Sequence, residues 1–261
     1  MTQAITPAPG AWVEPMTDFT MRIAGVTGQI SALFECTPAF FRPYLAGGEA
    51  DFAATVTRED IAFEAQSLYE EALQEGFRVR KFTDPFLERS AIQRKFAEFL
   101  FDRDTLLLHG STVAVDGVAY LFTARSGTGK STHTRLWCQL FGDRAVMVND
   151  DKPFISIAEK GIFASGSPWS GKHGLDTNIT VPLKGICLLE RGTENRIENA
   201  AKEALLPMLL AQSYRPLDEA KAPRFLQLVD TLAENVPLWQ MQCTKDIEAA
   251  RVAYATMSNN R

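Results

Sequence analysis

Apolar residues in the first hundred positions recur with two different periods, one typical of strands and one typical of helices. Two strand-like runs lie within residues 19–34, and a further short strand is expected over 50–56. Helix-like patterns follow them along the chain. Together these patterns predict a smaller N-terminal α+β lobe over residues 1–103, for which we expect a role in packing or in recognising an acceptor.

Two helices are predicted inside this lobe. Thr57 and Asp60 have the spacing of a capping box, so a helix is expected to start there and to continue over 61–73. Asp84 is the predicted cap of a second helix that reaches Phe101. Large apolar residues recur at helical spacing in this second segment: Phe86, Ile92, Phe96, Phe99 and Leu100.

The remaining residues, 104–261, are predicted to form a second domain of mixed strands and helices. Short apolar runs predict strands at 114–115, 118–123, 144–149, 154–157, 162–164, 183–189 and 236–242. Helices are predicted over 132–141, over 198–235 in two parts broken at Arg215-Pro216, and over 246–257.

Composition restricts the classes of function that need consideration. The chain has 261 residues, 46% of them hydrophobic and 23% charged, which is typical of a globular protein. Its net charge of −5 and its lack of a dense basic run argue against nucleic acid as a partner. No apolar stretch approaches the ~18 residues of a membrane span, so no membrane partner is expected. The first seven residues lack the features of a signal peptide. The four cysteines are far apart, which favours reduced thiols and a cytoplasmic location.

The strongest motif lies at 124–131, between the predicted strand 118–123 and the predicted helix 132–141. Its glycines allow the backbone to approach an anion, and its amide groups and the following helix start favour phosphate. Lys130 can reach the outer phosphates of a nucleotide, and the Ser131 hydroxyl can bind Mg²⁺. Ala124 stands where such loops usually have their first glycine. The predicted nucleotide-binding residues are Ser126, Gly127, Thr128, Gly129, Lys130, Ser131 and Thr132.

Two adjacent carboxylates, Asp150 and Asp151, follow the predicted strand 144–149. One carboxylate can hold Mg²⁺ while the other accepts a proton from an attacking hydroxyl. We predict that Asp150 is the base and that Asp151 is the metal-linked partner, together with Ser131, although the two roles can be exchanged. A solvated turn is the alternative, because Asn-Asp-Asp is also common turn chemistry.

Together these motifs resemble the kinase group that contains HPr kinase/phosphorylase and phosphoenolpyruvate carboxykinase. The similarity covers roughly 105–190 and includes three features: Leu108-His109-Gly110-Ser111 before a hairpin at 114–119, the phosphate loop, and Val148-Asn149-Asp150-Asp151. It implies an α/β fold of the HPr kinase/carboxykinase-like P-loop type with a mixed sheet, and Mg²⁺-dependent phosphoryl transfer to a hydroxyl. By position it also implies that His109 lies near the acidic pair. Segments that would indicate phosphorylase or carboxykinase activity are missing.

Further candidates come from the residues between and after these motifs. The glycine-rich loop 166–174 carries Trp169, Lys172 and His173, and is predicted to be a lid that closes over the phosphates, shields Trp169 and supplies a cation. Arg191 is a candidate arginine finger. Asn178 is a weaker candidate for binding the acceptor or the metal shell, and His133 is interpreted as a structural residue.

The function predicted from the sequence is therefore an ATP-dependent kinase that uses Mg²⁺. It transfers the γ-phosphoryl group to a hydroxyl of a peptide, a protein or a small molecule. Two alternatives remain: a nucleotide-binding switch with little catalysis and, least favoured, a carboxykinase-type enzyme. The acceptor, the preference for ATP over GTP, and the oligomeric state are left open.

Overall fold

The computed structural model describes residues 15–74, 76 and 78–259. Strands and helices are mixed along the chain, in agreement with the predicted mixed α/β class. The strands are β1 (Thr17–Ile23), β2 (Val26–Ala32), β3 (Phe52–Thr55), β4 (Thr105–Leu107), β5 (Ser111–Val115), β6 (Val118–Thr123), β7 (Ala145–Asn149), β8 (Phe154–Ala158), β9 (Gly161–Ser165), β10 (Thr180–Arg191), β11 (Arg196–Asn199) and β12 (Leu238–Cys243). The helices are α1 (Thr37–Phe40), α2 (Arg58–Gln74), α3 (Asp84–Phe101), α4 (Lys130–Phe141), α5 (Lys202–Gln212), α6 (Ala222–Asn235) and α7 (Ile247–Met257).

The N-terminal region contains a three-stranded sheet in the order β1-β2-β3, with α3 packed against it. β2 pairs with β1 antiparallel and with β3 parallel. The rings of Phe52 and Phe96 close over Gly28 of β2, where a Cβ atom would lie 2.7 Å from the Phe96 ring. Glycine is therefore required at this position for α3 to pack closely against the sheet.

The second sheet has nine strands and is mixed, as the resemblance implied. Its path is β4-β8-β9-β10-β6-β5-β7, and β12 and β11 extend it from β10. β10 pairs parallel with both β6 and β12, whereas the other pairs in this sheet are antiparallel. The parallel pair β6–β10 brings the start of the phosphate loop next to the carboxyl end of β10.

One hydrophobic cluster crosses the expected division between residues 103 and 104. Most of its buried side chains come from β1, β2 and α3, but it also includes Leu107, Phe154 and Trp169. The N-terminal region is thus packed directly on the edge of the large sheet. The division of the chain into two domains stays a prediction.

Most predicted elements are confirmed, with a few differences in their ends. Thr57 and Asp60 form the predicted capping box, in which the Thr57 amide donates to the Asp60 carboxylate and the Asp60 amide donates to the Thr57 hydroxyl. α3 starts at Asp84, but Thr83 occupies the cap position. The prediction of helix from residue 198 onward is wrong at its start, because Glu198 and Asn199 belong to strand β11, which pairs with β12. α4 starts two residues before the predicted position.

Among the helices of the described residues, none combines the length and the apolar character that crossing a membrane requires.

Candidate active site

The phosphate loop leaves β6 and enters α4. Gly127 and Gly129 have φ values of +75° and +125°, in the region that favours glycine. α4 starts at Lys130 with Gly129 at the cap position, and no side chain caps it. Its first turn also carries no acidic residue. The amide groups at this helix start are consequently accessible to an anionic ligand.

The structure accommodates Ala124 at the position where phosphate loops usually have their first glycine. Its methyl group is fully buried and packs in the cluster that contains Phe122 and Trp137. Its carbonyl oxygen accepts a hydrogen bond of 3.1 Å from the Lys130 ammonium group. An alanine therefore fits this position, and its carbonyl group holds the ammonium group of Lys130.

Arg191, at the end of β10, contacts the phosphate loop from the side. Its guanidinium group donates to the carbonyl oxygen of Gly127 at 2.5 Å and to that of Thr128 at 3.4 Å. Both acceptors belong to the loop backbone, so the observed role of Arg191 is to hold the loop. Two cavities flank it, with volumes of about 370 Å³ and about 350 Å³. Their position beside the loop is suitable for the nucleoside part of a bound nucleotide.

The acidic turn after β7 is organised by Asn149, which sequence reasoning did not identify as a site residue. The side-chain oxygen of Asn149 accepts from the amides of Asp151 and Lys152, at 2.7 and 2.5 Å. Its amide nitrogen donates to the Ser167 carbonyl oxygen at 2.7 Å. Asn149 is fully buried. The turn is therefore held by a buried asparagine and is not a fully solvated loop.

The two carboxylates of this turn have different environments. Asp150 is only 2% exposed, and its Oδ1 accepts a 2.5 Å hydrogen bond from the Gly171 amide. Its Oδ2 is buried without a hydrogen-bond partner among the described residues. The Asp151 side chain is 34% exposed, and its Oδ1 lies 3.2 Å from Nε2 of His109. The structure therefore brings His109 to the acidic pair, and specifically to Asp151.

The pKa values of the two carboxyl groups are also shifted in opposite directions. Burial raises the pKa of Asp150, and the nearby charge of Asp151 raises it further. Burial also raises the pKa of Asp151, but the hydrogen bond with His109 and the charges of Lys152 and Lys130 outweigh this effect, and that pKa lies below its usual value. Burial lowers the pKa of His109, so its imidazole is neutral at neutral pH. The charge of Lys130 contributes to lowering the pKa of both Asp151 and His109.

The loop after β9 is held from both sides. Asp176 accepts a 2.8 Å hydrogen bond from the Tyr44 hydroxyl and one of 2.6 Å from the Ser170 hydroxyl. Ser170 directly precedes Gly171, whose amide binds Asp150. Tyr44 belongs to the N-terminal region and is fully buried. None of these contacts was predicted from the sequence.

The structure corrects two predictions made for residues 166–178. Trp169 is already buried, because its ring packs against Phe41, Phe96 and Phe154 and its Nε1 donates to the Arg89 carbonyl oxygen at 2.9 Å. The prediction that closure of the lid shields Trp169 from water is therefore wrong. The amide of Asn178 donates to backbone carbonyls in the N-terminal region, and the structure does not bring it to the acidic pair.

Residues 172–174 are the exposed part of this loop. Within the described chain, Lys172 contacts neither the phosphate loop nor the acidic pair, so its role as a lid cation stays a prediction. His173 lies 3.5 Å from Arg135 of α4. His133 is buried, and its Nε2 accepts from the Trp137 indole at 3.1 Å, in agreement with a structural role.

A cleft opens beside the exposed carboxylate of Asp151, between the large sheet and helices α2 and α3. Its volume is about 580 Å³. His109, Asp151 and Lys152 form the side at the large sheet, and apolar and polar side chains in equal number form the rest. We call it the α2–α3 cleft. Its other lining residues are Phe40, Phe63, Glu64, Ser67, Leu68, Glu71, Phe86, Arg89, Ser90, Gln93, Arg94, Leu107, Trp169, Ser170, Tyr214 and Leu217.

The residues present fit a magnesium ion bound together with a nucleotide. No group of three or more His, Cys, Asp or Glu side chains in the described part of the chain forms a complete metal site. Mg²⁺ in nucleotide sites needs only one or two carboxylates, since phosphates and waters supply its other ligands. The orphaned Oδ2 of Asp150 is a buried anion that a cation would satisfy, and the Ser131 hydroxyl lies 3.4 Å from the Asp150 carbonyl oxygen.

The chain has limited similarity to known proteins. No family model matches the chain, and no curated protein matches it. Among solved structures, the HPr(Ser) kinase/phosphatase from Coxiella burnetii is similar with a TM-score of 0.33 and 11% sequence identity. The match covers 59% of this chain and 99% of that chain. The interpretation of the site accordingly depends on its own residues and their geometry.

Proposed function

We propose that the protein is an ATP-dependent kinase that transfers the γ-phosphoryl group to a hydroxyl. The observation that carries the proposal is the contact between the predicted phosphate loop and the acidic turn. The Ser131 hydroxyl donates a 3.4 Å hydrogen bond to the Asp150 carbonyl oxygen, and the next residue, Asp151, lines the α2–α3 cleft together with His109. This contact supports a phosphate site close to a proton-accepting pair, as a phosphoryl transfer requires.

In this proposed reaction, the residues of the site have different roles. The loop amides from 126 to 132 and the Lys130 ammonium group bind the triphosphate, and Arg191 holds the loop in shape. Ser131 and Asp150 would hold Mg²⁺, which would supply positive charge against the phosphates. This assignment exchanges the roles first predicted for the two carboxylates, because Asp150 is buried and Asp151 faces the cleft.

Asp151 then acts on the acceptor. The acceptor oxygen forms a bond to the γ-phosphorus while the bond between this phosphorus and the β–γ bridging oxygen breaks, and ADP leaves. The hydroxyl proton passes to the Asp151 carboxylate, whose orientation the neutral His109 fixes through its hydrogen bond.

Nucleotide binding is the first test. Mg·ATP at about 100 times its dissociation constant raises the free energy of unfolding by about 2.7 kcal/mol. For a chain of this size we expect the melting temperature to rise by roughly 5–10 °C. Lys130→Met should remove most of this shift, whereas Lys160→Met, on the exposed β8–β9 turn, should retain it. A folded parent protein whose melting temperature does not respond to ATP or GTP would refute the phosphate site.

Release of phosphate separates the kinase from the switch alternative. A kinase should consume ATP rapidly only when an acceptor is present, and the label of γ-labelled ATP should appear in the acceptor. Slow release of free phosphate that no acceptor accelerates would favour the switch.

A further inference from the structure

The α2–α3 cleft has a composition that indicates what kind of acceptor it binds. We propose that the acceptor is a small amphipathic molecule that carries a hydroxyl, an apolar chain and a carboxylate. This inference rests on the proposed kinase function, because that function identifies the Asp151 end of the cleft as the place where the hydroxyl reacts.

The walls of the cleft carry exposed apolar side chains that an apolar chain of the acceptor could cover. Three phenylalanines and a leucine in the lining are unusually exposed for large apolar side chains: Phe40 at 37%, Phe63 at 41%, Phe86 at 38% and Leu217 at 51%. An apolar chain that enters the cleft would cover these surfaces and remove them from water. The volume of about 580 Å³ is in the range of small-molecule sites, which are mainly apolar with a few polar groups.

Arg89 is the residue that indicates a carboxylate on the acceptor. Its guanidinium carbon lies 4.5 Å from the centre of the Phe40 ring and 5.9 Å from that of Phe86. Its Nε donates to the Pro85 carbonyl oxygen at 3.1 Å, and no carboxylate of the described residues pairs with it. Arg94 in the same cleft differs, because Asp60 and Glu64 both bind it. Arg89 is therefore the guanidinium of the cleft that can receive a carboxylate.

The two ends of the cleft have different chemistry. Arg89 and Phe40 also line a neighbouring cavity of about 230 Å³ beside α1, which contains neither Asp151 nor His109. Arg89 thus lies on the α1 side of the cleft, while Asp151, His109 and Lys152 lie at the large sheet. A molecule with a carboxylate at one end and a hydroxyl at the other matches this arrangement.

The proposal is tested with ω-hydroxydecanoate, which has the three required groups. Decanediol lacks the carboxylate, and γ-hydroxybutyrate lacks the long apolar chain. Affinities are measured by calorimetry on the full chain, and phosphoryl transfer is measured with γ-labelled ATP. We expect ω-hydroxydecanoate to bind at least about tenfold more tightly than either control, since a charge-assisted hydrogen bond and apolar burial each contribute on this scale. Its hydroxyl should acquire the label.

Variants locate the interaction. Arg89→Gln should lower the affinity for ω-hydroxydecanoate about tenfold or more, and should not change the affinity for decanediol or for ATP. Arg251→Gln, an exposed arginine on α7 that pairs with Glu248, is the matched control and should change none of these values. Equal affinities of ω-hydroxydecanoate and decanediol in the parent protein would overturn the proposal. Arg89-dependent phosphorylation of acidic seryl peptides, without binding of ω-hydroxydecanoate, would also overturn it in favour of a peptide acceptor.

The same measurements distinguish this proposal from the kinase function on which it rests. If ATP binds and an Asp151-dependent transfer to some other acceptor occurs, but ω-hydroxydecanoate does not bind, only the inference about the acceptor fails. If ω-hydroxydecanoate binds and ATP does not, the kinase function fails and the cleft remains a binding site for amphipathic carboxylates.

Discussion

The amide of Gly171 donates a 2.5 Å hydrogen bond to Oδ1 of Asp150. A Cβ atom at Gly171 would lie 2.9 Å from the same oxygen, so residue 171 has no space for a side chain unless Asp150 moves. The position of this carboxylate therefore depends on a glycine that lies 21 residues away in the sequence.

Gly171→Ala should displace Asp150 and lower kcat for phosphoryl transfer about 100-fold, the size of effect that a misplacement of about 1 Å produces. Nucleotide affinity in the absence of Mg²⁺ should stay close to that of the parent. Gly47→Ala is the control, because no atom lies within 4 Å of a Cβ at that glycine. An unchanged kcat in Gly171→Ala would show that Asp150 is not needed in its observed position.

Tyr44 connects the N-terminal region to the acidic turn through Asp176 and Ser170. Tyr44→Phe removes the hydroxyl that binds the Asp176 carboxylate, and hydrogen bonds to charged groups contribute about 1.5–3 kcal/mol. We expect kcat to fall about tenfold while the Kd for ATP does not change, because the phosphate loop lies apart from this contact. Tyr69→Phe, at a 46% exposed position, serves as the control. A larger change in the Kd for ATP than in kcat would contradict this account of Tyr44.

Arg191 holds the phosphate loop by its contacts to Gly127 and Thr128. Arg191→Gln should therefore raise the Kd for ATP about tenfold, with a smaller effect on kcat, since a charge-assisted hydrogen bond of the ground state is lost. Arg196→Gln provides the control, as its side chain is 76% exposed. The arginine-finger hypothesis predicts the opposite pattern, a loss of about 10³-fold or more in kcat at an unchanged Kd.

His133 should make the free energy of unfolding depend on pH. Burial lowers the pKa of His133 to about 4, whereas an unfolded chain has the usual value of about 6.5. Between these values the unfolded state binds a proton that the folded state does not bind. The free energy of unfolding therefore falls as the pH falls, by up to about 1.4 kcal/mol per pH unit.

His133→Gln keeps an acceptor for the Trp137 indole and removes the titration. Between neutral pH and about pH 4.5, the melting temperature of the parent should fall more than that of the variant. The measurement is made without nucleotide. Parallel curves for the two proteins would show that His133 does not titrate in this window.

The sequence predicts local structure better than contacts between distant residues. The strand and helix around the predicted phosphate loop are present as β6 and α4, and Asp150 and Asp151 follow β7 as expected, whereas their functional roles stay predictions. Tyr44 could not be predicted, because it meets Asp176 across 132 residues of sequence and a buried tyrosine has no distinctive local pattern. The glycines around Trp169 suggested mobility, but the indole packs into the N-terminal core, and a sequence pattern does not reveal such a tertiary contact.

The α2–α3 cleft also could not be predicted from the sequence. Its walls come from α1, α2, α3 and four separate segments of the large-sheet region, so no single stretch of sequence describes it. The different environments of Asp150 and Asp151 also depend on the fold. Adjacent residues in a turn point in different directions, and burial of one and exposure of the other follow from what packs above the turn.

The most direct test of the central claim compares the parent with Asp151→Asn in phosphoryl transfer from γ-labelled ATP. The acceptor is ω-hydroxydecanoate or, independently of that inference, a cell extract from which labelled products are isolated. The account predicts a labelled phosphoester with the parent and a loss of about 10²-fold or more with Asp151→Asn. Both proteins should bind ATP with similar affinity. A variant that transfers phosphate at the parental rate would contradict the claim that Asp151 accepts the proton of the attacking hydroxyl.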